Sequence, residues 1–298
     1  MKIKTRKRTK SLITKTTPFL FLLPALIGLF LFKMYPIFYV VKESFYTFFF
    51  LSGTKEFIGF ENYVNIFSDP VFLNSLKVTF WFNIITNPLQ VIMAILIAVL
   101  ANQAVRGINI FRTIFYSPVA VSIPIASVVW GLLLNPNLGF VNSLISLVGI
   151  PPQPFLVSEN QALYSIILII SWIGFNYWMI YILASLQDIP KQLYEAARID
   201  GASSIQIFFS ITLPMIKRAI AFITVGATTA NFLLFAPTYT LTRGGPSGST
   251  HVLMYEAYLS AFTYSDRGRS SAIIVFILLI IFLIVILELR FLSVKEER

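Results

Sequence analysis

The hydrophobic residues of this chain fall into six long runs rather than into an alternating pattern. The runs contain almost no Asp, Glu, Lys or Arg, and they occupy residues 18–40, 78–102, 114–134, 162–186, 219–237 and 271–290. A helix of about 20 apolar residues crosses a membrane core about 30 Å thick, whereas barrel strands would show about ten residues of alternating polarity. The pattern therefore predicts an all-α membrane protein with six transmembrane helices.

Composition and charge support this prediction and give the helices an orientation. Hydrophobic residues make up 57% of the 298-residue chain and charged residues 12%, against roughly 25% charged residues in soluble domains. Sixteen of the 23 Lys and Arg residues fall on the side of the N-terminus and seven on the other side. Because cytoplasmic segments are rich in Lys and Arg, we expect a multi-pass protein of the bacterial cell (cytoplasmic) membrane with both termini in the cytoplasm.

The same charges divide the chain into three parts. A basic cytoplasmic tail at 1–17 precedes a six-span domain at 18–292, and a short cytoplasmic tail follows at 293–298. Because the basic tail adjoins the first span, we expect it to contact anionic membrane lipid, and we expect no nucleic-acid partner.

Residue types that enzymes and metal sites require are missing or scattered. The chain has no cysteine and no Gly-x-x-x-x-Gly-Lys-Ser/Thr phosphate loop, and its acidic residues form no catalytic or metal-binding constellation. His251, the only histidine, is expected at the surface of an outer loop. We therefore predict that the chain is not an enzyme, with no catalytic residue, no metal and no cofactor of its own.

An ion-coupled secondary transporter is the alternative from another class, and it would place ionisable residues inside the spans. The runs are nearly free of carboxylates. Lys33 and Glu288 stand near the ends of their spans, where we expect them to reach the membrane interfaces. This distribution makes ion coupling the weaker hypothesis.

Two segments predict local departures from straight helices. Pro118 and Pro124 interrupt the third run, and each removes a backbone donor. The resulting break either lines a pathway or is a kink absorbed by helix packing. The outer segment 42–77 is mixed aromatic and polar with several turn residues, and we expect a short pair of re-entrant or surface helices there.

The inner loop 187–218 differs from every other loop because it is rich in helix-forming residues. Pro190 can occupy the first position of a helix over 191–199, and Gly201 follows as a stop. Ser203 or Ser204 can cap a second short helix that ends before Leu213-Pro214. The loop is therefore predicted to be a helix-turn-helix on the cytoplasmic face.

This loop contains the sequence Tyr194-Glu195-Ala196-Ala197-Arg198-Ile199-Asp200-Gly201, followed later by Leu213-Pro214. The pattern strongly resembles the EAA loop of ABC importer permeases. Two further stretches, Gly59-Phe60-Glu61-Asn62-Tyr63 and Leu241-Thr242-Arg243-Gly244-Gly245-Pro246, narrow the resemblance to the carbohydrate-type permeases similar to the maltose permease. The chain resembles their shorter six-span members, with the fold of a type I ABC importer permease.

The resemblance implies a carbohydrate importer built from several subunits. The partners would be a second homologous permease subunit, two ATP-binding subunits that hold ATP and magnesium, and an extracytoplasmic solute-binding protein. The loop would couple this chain to the ATPase, with Glu195 facing a cationic or donor group and Gly201 supplying the bend. The implied coupling residues are Glu195, Ala196, Ala197, Asp200, Gly201, Leu213 and Pro214.

The resemblance also places a solute site in the fourth and fifth spans, at Ile170, Gly174, Tyr177, Ala227, Ala230, Asn231 and Leu234. Aromatic faces beside amide and hydroxyl groups suit a neutral sugar. The small or apolar side chains at 227, 230 and 234 argue against maltose itself. Another polar solute such as glycerol phosphate is the alternative, although the spans offer it no buried cation. A second alternative is that Asn and Thr here only join helices, each for about 0.6–2 kcal/mol.

Overall fold

The computed structural model of the protein describes residues 17, 19–49, 53–103 and 105–292. The tail 293–298 and all of the tail 1–17 except Thr17 lie outside these residues. The described chain is almost entirely helical. Its elements are α1 (Phe19–Glu43), β1 (Tyr46–Phe49), β2 (Thr54–Phe57), α2 (Glu61–Ser68), α3 (Pro70–Ala101), α4 (Ile108–Tyr116), α5 (Ile123–Leu133), α6 (Phe140–Ser146), α7 (Ala162–Gln187), α8 (Lys191–Ile199), α9 (Ser204–Met215), α10 (Lys217–Phe232), α11 (Leu253–Tyr258) and α12 (Arg267–Leu292).

Helices α1, α3, α7 and α12 are long and apolar enough to cross a membrane. Two bent pairs, α4 with α5 and α9 with α10, raise the number to six if each pair counts as one span. α7 coincides closely with the predicted range 162–186. α3 begins well before residue 78, because the Asp69 side chain accepts a hydrogen bond from Val71 N at 2.8 Å and Pro70 fits the first turn.

The third run does not form one helix over 114–134. α4 continues into a 3₁₀ turn at Ser117–Ala120, the backbone is extended at Val121 and Ser122, and α5 then starts with Pro124 in its first turn. The two helical parts meet at 101°. The two prolines therefore break the helix, because neither can supply the N–H that a continuous ladder requires.

The fifth run also differs from its prediction, because α10 ends at Phe232 rather than at 237. Pro237 has no N–H for the carbonyl one turn earlier, so the helical ladder cannot continue through this segment. The chain turns at Leu233, is non-helical at Leu234 and Phe235, and re-enters helical geometry at Ala236, from which it continues into a π turn at Thr238–Thr242. A short non-helical segment thus follows α10.

The segment 42–77 contains a β-hairpin, so the prediction of a helix pair is wrong for its first half. Strands β1 and β2 are antiparallel, and Tyr46 faces Phe57 with the ring centroids 5.4 Å apart. Asn62 of α2 donates hydrogen bonds to the carbonyls of Ser44 at 2.9 Å and Tyr46 at 3.0 Å, which fastens the hairpin to the helix. An aromatic and β-branched run such as 46–49 favours a strand.

His251 is not a surface residue as predicted. Its Nε2 lies 2.8 Å from a carboxylate oxygen of Glu256, which is 2% exposed. Arg269, at the start of α12, pairs with the other oxygen of Glu256 at 2.8 Å and also with Asp69 before α3. This ion-pair cluster joins α3, α11, α12 and the loop that carries His251.

The core lies between α3, α7, α10 and α12. α3 and α7 are in tight contact at Gly174, where an added Cβ would lie 2.3 Å from Gln90 Nε2. α1 contributes little to this core: its last turns contact α12, but none of its most apolar 18-residue window is buried within the chain. α3, α7 and α10 therefore form the frame of the site described next.

Candidate functional site

A cavity of about 740 Å³ lies between α3, α7 and the non-helical segment that follows α10. The break between α4 and α5 forms another part of its wall, through Val119, Val121, Ser122 and Ile123. The proline-induced break therefore lines a cavity, which favours the first of the two readings of that break. Among the lining residues that the structure describes, none is charged.

Most of the predicted solute residues meet at this first cavity. Its wall includes Ile170, Gly174, Tyr177, Ala230, Asn231 and Leu234. Ala227 is the exception, since it is fully buried among the apolar residues between α3, α7 and α10. Tyr177 is 40% exposed, and its hydroxyl lies 3.1 Å from that of Tyr181.

A chain of hydrogen-bonded polar side chains begins at this cavity and crosses the core. Gln90 Nε2 donates to the Ile170 carbonyl at 3.1 Å, and Asn231 Nδ2 donates to Gln90 Oε1 at 3.1 Å and to Asn87 Oδ1 at 2.6 Å. Asn87 Nδ2 then donates to Thr228 Oγ1 at 3.0 Å. We call Gln90, Asn231, Asn87, Thr228 and Glu288 the polar relay.

The relay ends at a carboxylate, since Thr228 Oγ1 donates to Glu288 Oε1 at 2.7 Å. Glu288 lines a second cavity of about 610 Å³ between α3, α10 and α12, and its Oε2 is buried without a hydrogen-bond donor among the described residues. The expectation that Glu288 reaches the membrane interface is therefore wrong. Its side chain turns inward because Thr228 offers a hydroxyl on the facing helix.

Sequence reasoning missed Asn87 and Gln90. Both lie in α3 and line cavities, and Gln90 is 1% exposed. A search for charged residues passes over neutral amides, but Asn83, Asn87 and Gln90 are spaced by four and three residues and so share one helix face. A stripe of polar residues along one face of an apolar helix is the sequence signal that could have identified these two residues.

The loop after α7 is held to the bundle by one of its faces. Tyr194, Phe208 and Leu213 pack against the buried residues of α3, α7 and α10, and the Tyr194 hydroxyl lies 3.3 Å from Thr212 Oγ1. Ser203 accepts a hydrogen bond from Gln206 N while Gln206 Oε1 accepts one from Ser203 N, which makes a capping box at the start of α9. The loop is therefore an ordered part of the fold.

The helix-turn-helix form was predicted, but two of its details differ. Pro190 precedes α8 as its cap, and α9 continues through Pro214 to Met215 instead of ending before Leu213. A π turn at Phe208–Thr212 makes this possible, since Leu213 N donates to Phe208 O and the ladder is reset just before the proline.

The other face of the loop is exposed and partly apolar. Gly201 has φ +77° and turns the chain between α8 and α9. Ile199 is 86% exposed, Ile205 71% and Phe209 61%, and Glu195, one turn before Ile199 on α8, is also exposed. We call these four residues the coupling surface, after the role that the resemblance implies for this loop. Of the other predicted coupling residues, Ala196, Asp200 and Pro214 are exposed, Ala197 is half-buried and Leu213 packs inward.

Comparison with curated proteins gives relatives that share nearly the full length of the chain. A probable ABC transporter permease protein, YurN of Bacillus subtilis strain 168, is 37% identical over 95% of this chain and 98% of its own length. The sn-glycerol-3-phosphate transport system permease protein UgpA of Agrobacterium fabrum is 31% identical, covering 93% and 94%. The arabinooligosaccharides transport system permease protein AraP of Bacillus subtilis is 29% identical, covering 93% and 88%.

Solved structures and family profiles agree with these relatives. The fold matches a chain of a bacterial ABC transporter involved in the import of the acidic polysaccharide alginate, with a TM-score of 0.84 over 97% of this chain and 100% of that chain, at 23% identity. The profile of the binding-protein-dependent transport system inner membrane component family matches residues 71–292. This chain therefore belongs to the family of binding-protein-dependent transport system inner membrane components, the permeases of ABC importers.

Proposed function

We propose that this permease carries a neutral carbohydrate, such as an oligosaccharide, through the first cavity. The observation that carries the proposal is the lining of that cavity, where Tyr177 and Trp178 offer aromatic faces and Gln90, Ser122 and Asn231 offer polar groups without a charge. Aromatic walls with a few polar groups suit a polyhydroxylated ring. The arabinooligosaccharide permease among the relatives supports this substrate class.

Glycerol phosphate is the second candidate, because a relative of higher identity is a permease for it. A phosphate group carries negative charge and is recognised most strongly by Arg, Lys or a helix N-terminus. The first cavity has no basic side chain among its lining residues. α10 meets it with its C-terminal end and α5 with its N-terminal residues Ser122 and Ile123, so helix ends of both signs border the cavity. The lack of a basic side chain in the wall is therefore what favours the neutral solute.

The energy for transport would come from two separate ATP-binding subunits, which hold ATP and magnesium and dock on the coupling surface. Exposed apolar side chains on α8 and α9, together with the exposed carboxylate of Glu195, suit a groove that has apolar walls and a basic or donor group. Glu195, Ala196 and Ala197 would lie against that groove, and Asp200 and Gly201 would shape the turn. α7 and α10 both line the first cavity, and the loop joins them. A movement of the loop on docking would therefore be transmitted to the cavity through these two helices.

Two further partners complete the proposed importer. A second homologous permease would close the first cavity and cover part of α1, none of whose apolar window is buried by this chain. A solute-binding protein would deliver the sugar on the outer side, with both termini of this chain in the cytoplasm. An alginate importer of the same fold is known in complex with a periplasmic protein bound to an alginate pentasaccharide.

Uptake by a strain that lacks the chromosomal copy and carries the gene on a plasmid tests the proposal. The panel contains labelled arabinotriose, maltotriose, raffinose and sn-glycerol 3-phosphate. We expect uptake of a neutral sugar, and a fall of roughly tenfold or more in Tyr177→Ala because an aromatic face is lost. Tyr164→Ala is the matched control, since Tyr164 lies on α7 away from the first cavity and is 51% exposed. Uptake of glycerol phosphate alone would reject the neutral-sugar proposal.

A further inference from the structure

The direction of every hydrogen bond in the polar relay is set at its Glu288 end. A carboxylate only accepts hydrogen bonds, so the Thr228 hydroxyl must donate to it. The oxygen of Thr228 is then left to accept, and Asn87 supplies its amide NH₂ at 3.0 Å. Two steps from the carboxylate, the orientation of an amide is already fixed.

The same logic fixes the amide that faces the first cavity. Because the nitrogen of Asn87 is committed to Thr228, its oxygen is the group that meets Asn231, at 2.6 Å. Asn231 must therefore turn its nitrogen inward, where it also donates to Gln90 at 3.1 Å. Asn231 lines the first cavity, and its Oδ1 accepts from no donor within the described part of the chain. The cavity is thus presented with a hydrogen-bond acceptor.

The hydroxyl of Thr228 donates to a different kind of acceptor from the hydroxyls of the neighbouring threonines on α10, because the Glu288 carboxylate is within its reach. Thr224 donates to the carbonyl of Ile220 at 2.8 Å and Thr229 to that of Val225 at 2.9 Å, as threonines in helices commonly do. Thr228 donates across the helix interface instead. It is 1% exposed, so the link to Glu288 is made within the core.

We propose that Glu288 is a positioning residue for solute selection: through Thr228 and Asn87 it holds the Asn231 carbonyl oxygen toward the first cavity, where that oxygen accepts from a solute hydroxyl. Glu288 itself does not touch the solute. The inference rests on the proposed function, since it assumes that the first cavity holds the sugar.

A graded series of substitutions at 288 tests the relay. Glu288→Gln can accept or donate and so releases the fixed direction, whereas Glu288→Lys donates and reverses it. The complete transporter is reconstituted in liposomes with its binding protein, and sugar imported per ATP hydrolysed is measured with arabinotriose, or with whichever neutral sugar of the panel the wild type imports fastest. We expect a fall of about threefold for Gln and more than about tenfold for Lys, with ATP hydrolysis within about twofold of wild type.

One matched pair of variants and one neighbouring control separate positioning from packing. Thr228→Val keeps the shape of the side chain but breaks the relay, and Thr228→Ser keeps the hydroxyl. We expect the Val variant to fall about as far as Glu288→Lys and the Ser variant to stay within about twofold. Ile284→Val, one turn from Glu288 in the wall of the second cavity, should also stay within about twofold. Equal losses in all of these variants would overturn the proposal.

A second measurement needs no solute. Melting temperatures of the purified complete transporter are compared for Glu288→Gln, Asn231→Ala and the double variant, and we expect shifts that do not add, because the two residues belong to one hydrogen-bonded chain. Additive shifts would mean that Glu288 does not act on Asn231. If the wild type imports no neutral sugar, the proposed function fails, while this cycle still decides whether the relay exists.

Discussion

At the scale of single residues, Gly174 decides how closely α3 and α7 approach at the first cavity. An alanine there would place its Cβ 2.3 Å from Gln90 Nε2, so Gln90 would have to leave the Ile170 carbonyl. We expect Gly174→Ala to destabilise the protein by about 1–3 kcal/mol and to reduce uptake. Thermal unfolding and sugar uptake measure the two effects. Gly28→Ala is the control, because no atom lies within 4 Å of the added carbon and alanine favours a helix.

Glu256 gives a prediction for pH. Burial would raise its pKa, but hydrogen bonds from His251 and Arg269 outweigh burial and lower the pKa below its ordinary value of 4.5. The native state therefore holds the carboxylate more readily than the unfolded state does. This contribution is fully present above about pH 4.5 and is lost as the pH falls through the lowered pKa.

Melting temperatures measured between pH 7 and pH 3 test this assignment. We expect the fall in melting temperature below about pH 4.5 to be smaller in Glu256→Gln than in wild type, because the titrating group has been removed. Glu159→Gln, at an exposed position, should leave the wild-type profile in place. A Glu256→Gln profile parallel to that of wild type would contradict the role of Glu256.

At the scale of elements, the turn between α8 and α9 depends on a backbone conformation that other residues rarely adopt. Gly201 has φ +77°, so Gly201→Ala costs about 1–2 kcal/mol and re-aims the coupling surface. We expect ATP-driven uptake to fall several-fold. Gly149 offers an unusually close control, with φ +79° and no atom near the added Cβ, in a loop remote in sequence from α8 and α9. If Gly149→Ala reduced uptake equally, the effect would be one of stability and not of coupling.

The sequence predicted the helices that depend on hydropathy and local signals, and it failed where one element depends on another. The run 162–186 became α7, and Gly201 marked the turn between α8 and α9, because both signals are local. The hairpin at 46–57 escaped notice because its strands pair with each other and are held by Asn62. The break at Pro118 and Pro124 was predicted from the sequence, but its angle of 101° depends on packing.

For the solute site, the resemblance identified positions and the fold supplied their partners. Six of the seven predicted residues line one cavity, but the same reasoning could not place Gln90, which approaches only because Gly174 on another helix lacks a side chain. Glu288 was predicted to reach the membrane interface because it stands near a helix end. Its side chain instead accepts a hydrogen bond from the Thr228 hydroxyl on the facing helix. Contacts between helices are not encoded in the hydropathy of either helix alone.

At the scale of the whole molecule, the proposed orientation gives opposite sides to α6 and α9. The chain has no cysteine, so single cysteines report their own accessibility. Ser146→Cys on α6 and Ser204→Cys on α9 are both exposed positions. We expect a membrane-impermeant maleimide to label position 146 in intact cells and position 204 only after permeabilisation. Labelling of position 204 in intact cells would reverse the assigned topology.

The early end of α10 has a consequence for how solutes are told apart. Where a helix stops, its last carbonyl oxygens have no intrahelical donors, and α10 stops at Phe232 beside the first cavity. A sugar hydroxyl can use such main-chain oxygens whatever side chains the segment carries. Exchange of wall residues such as Ala230 or Leu234 can then change the size of the accepted sugar while the affinity of the backbone for hydroxyl groups is kept. Permeases with the same backbone can therefore accept sugars of different sizes.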